Sequence, residues 1–286
     1  MSDDELKARR AAALAEDRCF SRGRLRDEFR MKPAPGAEPV RWYKNGYGSK
    51  YGVWRLADCV PMRELKPQTE KQRQAAALLG LQSRMKSERG RFAMLAHTWL
   101  ALDPVFLDTE TTGLDAGAQA LEIGLVNARG ETIFETRLKP TVSIDSAASA
   151  VHGISDDELA SAPSWPDIEQ QLQHHIGRRP LVIFNAEFDT RILKQTAAAH
   201  NDPASWLDSL TVYCAMQLAA RYYGATNRYG TISLASAVSQ AGLDWTGEAH
   251  SAVTDAVMTA RVVNNIAGYW HELQCGMNDV AGNEPA

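Results

Sequence analysis

The stretch that decides the fold of this 286-residue chain is Val105-Phe-Leu-Asp-Thr-Glu-Thr-Thr-Gly-Leu114. Its apolar beginning predicts a short strand over 105–108, and Thr111-Thr-Gly113 predicts a turn after it. Because side chains alternate along a strand, Asp108 and Glu110 share one face. Two carboxylates held side by side repel each other unless a cation lies between them. The pair is therefore a candidate metal site, although most isolated Asp-x-Glu pairs are solvated surface.

A second polar segment, Asn185-Ala-Glu-Phe-Asp189, follows a predicted buried strand at 181–184. Asn185 and Asp189 are four residues apart, which is roughly one helical turn. The ends of strands in α/β sheets are where ligands bind. The alternative is structural, with Asn185 as a helix cap and Asp189 as a first-turn acid that the helix dipole favours.

The third segment, His250-Ser-Ala-Val-Thr-Asp255, leads into an apolar-periodic helix over 251–266. Residues five apart on a helix point about 140° away from each other. His250 therefore has to precede the helix if it is to face the same site as Asp255, with Ser251 as the N-cap. Taken alone, a loop histidine is more often inert surface than a catalytic base.

In order, spacing and local structure, the three segments together resemble the motifs of the DEDDh family of 3′–5′ exonucleases, which includes the epsilon proofreading subunit of DNA polymerase III. Val151-His-Gly-Ile154 is also similar to the epsilon-type branch. The resemblance covers about residues 103–268. Phe184 and Ser251 depart from the residues that are common there, and neither is a metal ligand.

This resemblance implies an RNase H-like α/β domain with a mixed sheet flanked by helices. It also implies two Mg²⁺ ions, which Mn²⁺ would replace, and hydrolysis of DNA from the 3′ end to 5′-nucleoside monophosphates. By analogy, four acids hold the metals and His250 is the general base. The implied metal ligands are Asp108, Glu110, Asp189 and Asp255, and the substrate contacts are Thr109, Thr111, Leu114 and Asn185.

The charge distribution along the chain is asymmetric. Residues 1–100 hold 21 Lys and Arg against 12 Asp and Glu, a net +9, whereas residues 101–286 hold 10 against 23, a net −13. A basic segment beside an acidic one indicates contact with a polyanion, or attraction between the two halves. We therefore predict a basic α+β accessory region over 1–100, an exonuclease domain over 101–270 and a polar tail over 271–286.

Within the accessory region, we expect a charged helix over 1–31, a hairpin over 40–56 that turns at Asn45-Gly46, and one or two helices up to Leu100. The hairpin alternates aromatic with basic residues, the pattern of proteins that bind single-stranded nucleic acid. Trp42 and Trp54 are thus candidate substrate contacts, unless the aromatic residues are instead the core of a small domain.

The amino-acid composition indicates a globular protein. The chain is 44% hydrophobic and 23% charged, as in globular proteins. No apolar run reaches the length of a membrane helix, the first residues lack a secretory pattern, and the four cysteines have no C-x-x-C spacing. We expect a cytoplasmic enzyme that binds nucleic acid, with single-stranded DNA or a 3′ end as substrate. An exoribonuclease, a non-enzymatic nucleic-acid-binding adaptor and a polymerase-bound subunit are the alternatives.

Overall fold

The computed structural model of the chain describes residues 3–63, 68–245, 247 and 250–282. They form two compact units, residues 1–69 and 70–286. The predicted boundary lay at residue 100. The structure places it earlier, because the two helices that precede residue 102 pack within the second unit.

The first unit is a small α+β fold around a core that includes Phe20, Leu25 and Trp54. A three-stranded sheet of order β1-β4-β3 and a two-stranded sheet of β2 and β5 surround that core, and all of these strand pairs are antiparallel. The elements are α1 (Asp3–Ala15), β1 (Cys19–Ser21), α2 (Arg22–Phe29), β2 (Met31–Pro33), β3 (Arg41–Lys44), β4 (Lys50–Arg55) and β5 (Cys59–Pro61).

Two expectations for this unit need correction. Residues 1–31 are not one helix, because Asp17 takes a left-handed backbone conformation (φ 49°) and the chain then pairs with β4. The hairpin does not turn at Asn45-Gly46 alone. Lys44 pairs with Lys50, which leaves a five-residue loop in which Gly48 supplies the positive φ of 79°.

The second unit is a mixed five-stranded sheet between two layers of helices, as predicted. The strand order is β10-β9-β6-β7-β8, with β9 parallel to both β6 and β10, and with β7 antiparallel to β6 and β8. The strands are β6 (Val105–Thr111), β7 (Ala120–Asn127), β8 (Thr132–Arg137), β9 (Leu181–Ile183) and β10 (Val212–Cys214). The helices are α3 (Glu70–Lys86), α4 (Glu88–Ala101), α5 (Ser146–His152), α6 (Trp165–Ile176), α7 (Ala186–Ala199), α8 (Ala215–Tyr223), α9 (Leu234–Gln240) and α10 (Ala252–Gly282).

The central strand β6 is buried from both sides. Phe106 faces the apolar cluster built with α4, α8, α9 and α10, whereas Val105 and Leu107 face the cluster built with α6 and α7. Burial on both faces makes β6 a rigid support for the carboxylates at its end.

The last helix is much longer than predicted. It continues through residues 271–282, which we had assigned to a polar tail, because this part packs on α3. A side chain added at Gly276 would lie 3.1 Å from Leu81, and Leu273 is buried. Residues 283–286 of the predicted tail lie outside the described residues. None of the described helices combines the length and apolarity that crossing a membrane requires.

Candidate active site

Three carboxylates converge at the end of the central strand. Ligand oxygens of Asp108, Glu110 and Asp255 all lie within 4.8 Å of one another. Asp108 and Glu110 come from one face of β6, as the alternation along the strand predicted. Asp255 comes from the first turn of α10, so the sheet and a helix both hold the cluster.

A glycine permits that convergence. Gly124 on β7 pairs with Asp108, and a Cβ at this position would lie 2.5 Å from the backbone nitrogen of Val253. Real Cβ atoms essentially never approach another atom so closely, so only glycine allows α10 to begin against the sheet at this point. The first turn of α10 is thereby brought over the Asp-x-Glu pair.

The fourth predicted acid belongs to the same electrostatic cluster. Asp189, on α7, is only 4% exposed, and its Oδ1 accepts a 2.8 Å hydrogen bond from the Thr109 hydroxyl. Burial raises the pKa of Asp189 to about 7, although the Thr109 hydrogen bond opposes the rise. The charge of Asp189 in turn raises the pKa of Asp108.

The other acids are also hard to ionise together. Burial, and then the charges of Asp255, Glu122 and Asp189, raise the pKa of Glu110 to about 8. Burial is also the main cause that raises the pKa of Asp108 and of Asp255. Sites where burial and like charges raise several carboxyl pKa values together are typical of functional centres.

The cluster fits divalent cations. Asp255 Oδ1 is buried, and among the described residues it has no hydrogen-bond partner. A buried carboxylate oxygen without a donor is destabilising unless a ligand satisfies it. Carboxylate oxygens are the ligands that Mg²⁺ prefers, and a cation there would lower the raised pKa values of the neighbouring acids.

His250 lies just outside the helix that carries Asp255, as predicted, because α10 begins at Ala252. Its φ is 64°, a left-handed conformation that non-glycine residues seldom adopt and that concentrates at functional sites. The backbone of His250 also makes a hydrogen bond to the Asp255 carboxylate, which lowers the pKa of that acid. The histidine is exposed, so its ring has access to solvent.

The sequence did not single out Glu122, a fifth acid at the site. Glu122 lies on β7 directly opposite Glu110, and it is buried. Its Oε1 accepts hydrogen bonds from the Ala252 backbone N–H at 3.0 Å and from the Ser251 hydroxyl at 3.4 Å, while its Oε2 pairs with Arg137. Glu122 thus caps α10, a role we had given to Ser251. The sequence did hold one indication of this role, because Glu122 is the single charged residue of the otherwise apolar strand Ala120–Asn127.

The predicted substrate contacts divide into two groups. Leu114 and Asn185 are exposed, so both can reach a ligand. The hydroxyls of Thr109 and Thr111 are internal, because the first is bound to Asp189 and the second donates to the Gly113 carbonyl at 2.8 Å. These two hydroxyls therefore hold the site together, and contact of Thr109 and Thr111 with substrate stays a prediction.

The two tryptophans of the first unit also differ. Trp42 is 59% exposed, as a stacking residue needs to be. Trp54 is 4% exposed, its indole N–H donates to the Ala37 carbonyl, and the Arg22 guanidinium lies 4.9 Å above its ring. The prediction that Trp54 stacks on substrate is therefore wrong, because its ring is buried in the core of the first unit.

A surface cavity of about 540 Å³ adjoins His250 and Ser251. Arg137 and His152 also line it. The His152 ring accepts a 3.0 Å hydrogen bond from the Ile154 N–H, and its other nitrogen lies 3.2 Å from the Thr111 carbonyl. His152 thus ties its loop to the end of β6, which supports a structural role for this residue.

Comparison with known proteins identifies several to which the chain is similar. The chain is 36% identical over 178 residues to an uncharacterized exonuclease, CP81, of Escherichia phage 186, covering 60% of this chain and 92% of that protein. It is 32% identical over 125 residues to the DNA polymerase III subunit epsilon of Escherichia coli K12, covering 38% of this chain and 51% of that subunit. Exonuclease X in complex with 5′ overhanging duplex DNA is a solved structure similar to it, at 25% identity and a TM-score of 0.45, covering 62% of this chain and 99% of that one.

The family model described as Exonuclease, RNase T, matches residues 105–263, which is more than half of the chain. The matched segment begins at β6 and includes all five predicted catalytic positions. Its sheet and helices form the RNase H-like fold that the motifs implied. The chain therefore belongs to the exonuclease family, as a DnaQ-like 3′–5′ exonuclease.

Proposed function

We propose that the protein hydrolyses DNA from the 3′ end and releases 5′-nucleoside monophosphates in a reaction that needs two divalent metal ions. The observation that supports this most is the convergence of Asp108, Glu110 and Asp255 within 4.8 Å, with one Asp255 oxygen to which no described residue donates a hydrogen bond. Sequence similarity to DNA polymerase III epsilon subunits favours DNA over RNA.

In this proposal, Asp108, Glu110, Asp189 and Asp255 hold Mg²⁺, for which Mn²⁺ substitutes. Two such ions, when bound, supply a water of lowered pKa and stabilise the attacking and leaving oxygens of an in-line displacement. Asp189 is fixed by Thr109, and Asp255 by the start of α10, so both ligands need little rearrangement to bind.

His250 is the general base that removes a proton from the attacking water. Its exposed ring and its position before α10 leave it able to reach that water without being a metal ligand. Histidine is the side chain that most often serves as a general base in proton transfer. Glu122 supports this arrangement from behind, because it binds the two residues that follow His250.

The terminal nucleotide is held mainly by the turn after β6. Leu114 offers an exposed apolar side chain for the terminal base, and Asn185 offers a polar one at the start of α7. Because the hydroxyls of Thr109 and Thr111 are internal, we assign any direct contact by these two residues to the backbone.

The free thiols of all four cysteines favour the reducing cytoplasm as the compartment.

The test is digestion of oligonucleotides that carry a label at the 3′ or the 5′ end. With Mg²⁺, a 3′ label on DNA should appear at once as a labelled mononucleotide, and a 5′ label should give a ladder that shortens stepwise. Excess EDTA should stop both reactions. Faster digestion of RNA than of DNA would show that the protein is an exoribonuclease. Binding of nucleic acid without cleavage would indicate a non-enzymatic adaptor.

Matched variants separate the site from general effects on charge. Asp255→Asn should abolish cleavage, whereas Asp279→Asn, on the exposed end of the same helix, should leave it unchanged. Equal loss in both variants would contradict the assignment of Asp255. A polymerase partner is tested separately, by asking whether the chain comigrates with a DNA polymerase on gel filtration.

A further inference from the structure

The β3–β4 hairpin exposes more aromatic surface than a small folded unit ordinarily leaves in water. All four residues of β3 are exposed, and Tyr47 in the loop is 96% exposed. Several large aromatic side chains exposed in one hairpin make it a candidate interaction site. The pairing of β4 with β1 explains why Trp54 is buried, whereas Trp42, on β3, is 59% exposed.

One face of the hairpin combines an aromatic ring with cations. Trp42 and Lys44 share a face because they are two residues apart on β3. Lys44 pairs directly with Lys50 on β4, and paired residues lie on the same face. We call these three side chains the Trp42 face. By the same alternation, Arg41 and Tyr43 project from the opposite face, where the rings of Tyr43 and Tyr51 stack at a centroid distance of 5.8 Å.

The Trp42 face borders a cavity of about 510 Å³ within the first unit. Trp42, Lys50, Arg22 and Asn45 are among its lining residues, and buried Trp54 also contributes to its wall. That volume is within the range of ~300–1,000 Å³ typical of ligand sites. An aromatic wall beside two cations suits a planar base joined to a phosphate.

The charge of the segment is of one sign. Residues 39–57 contain four basic residues and no acidic one. Among the residues that the structure describes, ion pairs are recorded for Arg55 but not for Lys44 or Lys50. Cations that no carboxylate neutralises are available to phosphates, which makes a polyanion the complementary occupant.

The hairpin is also held in shape before any ligand binds. Asn45 Oδ1 accepts hydrogen bonds from the Tyr47 N–H at 3.0 Å and from the Ser49 N–H at 2.9 Å. The Asn45 N–H donates to the Ser49 carbonyl, which closes the loop. A surface that is already ordered loses little conformational entropy on binding.

We propose that the Trp42 face binds single-stranded nucleic acid, with a base stacked on Trp42 and backbone phosphates held by Lys44, Lys50 and Arg22. This is a second nucleic-acid site, in a different unit from the carboxylate cluster. Because the binding chemistry is stacking plus phosphate contact, it is tolerant of sequence. It does not depend on hydrolysis at Asp108.

The experiment measures binding by fluorescence anisotropy, with the full chain in excess EDTA. The probe is a labelled oligothymidylate of about 12 residues, a length within the usual site sizes of single-strand binders. Trp42→Ala should weaken binding about fivefold or more, and Trp42→Phe should retain most of it, because the ring remains. An abasic oligonucleotide of equal length should not distinguish wild type from Trp42→Ala.

The charge contribution is read from the salt dependence. Each phosphate contact to a single strand contributes about 0.7 to the slope of log affinity against log salt. The double variant Lys44→Gln/Lys50→Gln should therefore reduce the slope by about 1.4. Lys32→Gln, an exposed lysine on the other sheet of the same unit, is the control and should leave the slope unchanged.

Tyr43→Ala tests the opposite face of the same strand. The proposal predicts that it binds like wild type, and thermal melting of every variant checks that the unit remains folded. If Tyr43→Ala weakened oligothymidylate binding and Trp42→Ala did not, the assignment of binding to the Trp42 face would be overturned. Unchanged binding in all variants would overturn the site itself, and tighter binding of oligouridylate than of oligothymidylate would identify RNA as the occupant.

Because no cleavage occurs in EDTA, the outcome is independent of the proposed function. A chain that cleaves DNA but binds oligothymidylate equally well with and without Trp42 contradicts only the second site. A chain that shows the predicted binding but leaves DNA intact in Mg²⁺ contradicts only the exonuclease mechanism.

Discussion

Removing one charge from the carboxylate cluster should stabilise the metal-free protein at high pH. Glu110→Gln preserves the size of the side chain and removes its charge. Glu110 is 9% exposed, and its pKa of about 8 lies above its ordinary value of 4.5, because of burial and then the charges of Asp255, Glu122 and Asp189. The native state therefore holds a proton that the unfolded state releases.

The sign and size follow from proton linkage. A raised carboxyl pKa makes the free energy of unfolding fall as pH rises from about 4 to about 8. Each pKa unit corresponds to about 1.36 kcal/mol, so Glu110 can destabilise the native state by at most about 4 kcal/mol at pH 8, and by less than about 1 kcal/mol at pH 5. Allowing for water that enters the site, we expect about 2 kcal/mol at pH 8.

Urea unfolding in EDTA at pH 5 and pH 8 measures this difference. The free energy of unfolding of Glu110→Gln should exceed that of wild type by about 2 kcal/mol at pH 8. At pH 5 the two free energies should be nearly equal. Saturating Mg²⁺ should reverse the order, because it stabilises wild type by about 2.7 kcal/mol at a hundredfold excess over its Kd. If the two proteins differed in unfolding free energy by the same amount at pH 5 and pH 8, or if wild type were the more stable at pH 8 in EDTA, the raised pKa of Glu110 would not destabilise the metal-free protein.

Three further predictions concern the same site. His250→Ala should lower turnover about 10²–10⁴-fold while Mn²⁺ affinity, measured by calorimetry, stays near wild type; a collapse of metal affinity would make His250 a ligand. Thr109→Val removes the hydrogen bond that lowers the pKa of Asp189, so the acidic limb of the pH–rate profile should move to higher pH, and an unmoved limb would count against this coupling. Gly124→Ala places a Cβ 2.5 Å from the Val253 nitrogen and should cost at least about 3 kcal/mol in urea unfolding; near-wild-type stability would show that α10 does not need this close approach.

The clustering of the acids could be predicted from sequence because their geometry is mostly local. Asp108 and Glu110 share a face through the period of one strand, and Asp255 follows from the start of an amphipathic helix. What sequence could not supply was the register between strands. Glu122 lies at the site only because β7 pairs it with Glu110 and directs its carboxylate to the first turn of α10.

Elsewhere the sequence patterns were compatible with more than one packing partner. Trp54 and Trp42 are both aromatic residues in one hairpin, and only the pairing of β4 with β1 decides that Trp54 is buried. The helices before residue 102 carry basic charge like the first unit, yet Trp99 stacks on Tyr213 in the second, with ring centroids 4.7 Å apart. The boundary between the two units therefore follows the apolar contacts of these helices and not their net charge.

The most direct test of the central claim is anomalous diffraction at the manganese edge, from crystals grown with Mn²⁺ and a deoxynucleoside 5′-monophosphate. We expect manganese bonded to oxygens of Asp108, Glu110 and Asp255, with the nucleotide phosphate on the same ions. Manganese bound only elsewhere, or a phosphate far from these three carboxylates, would contradict it.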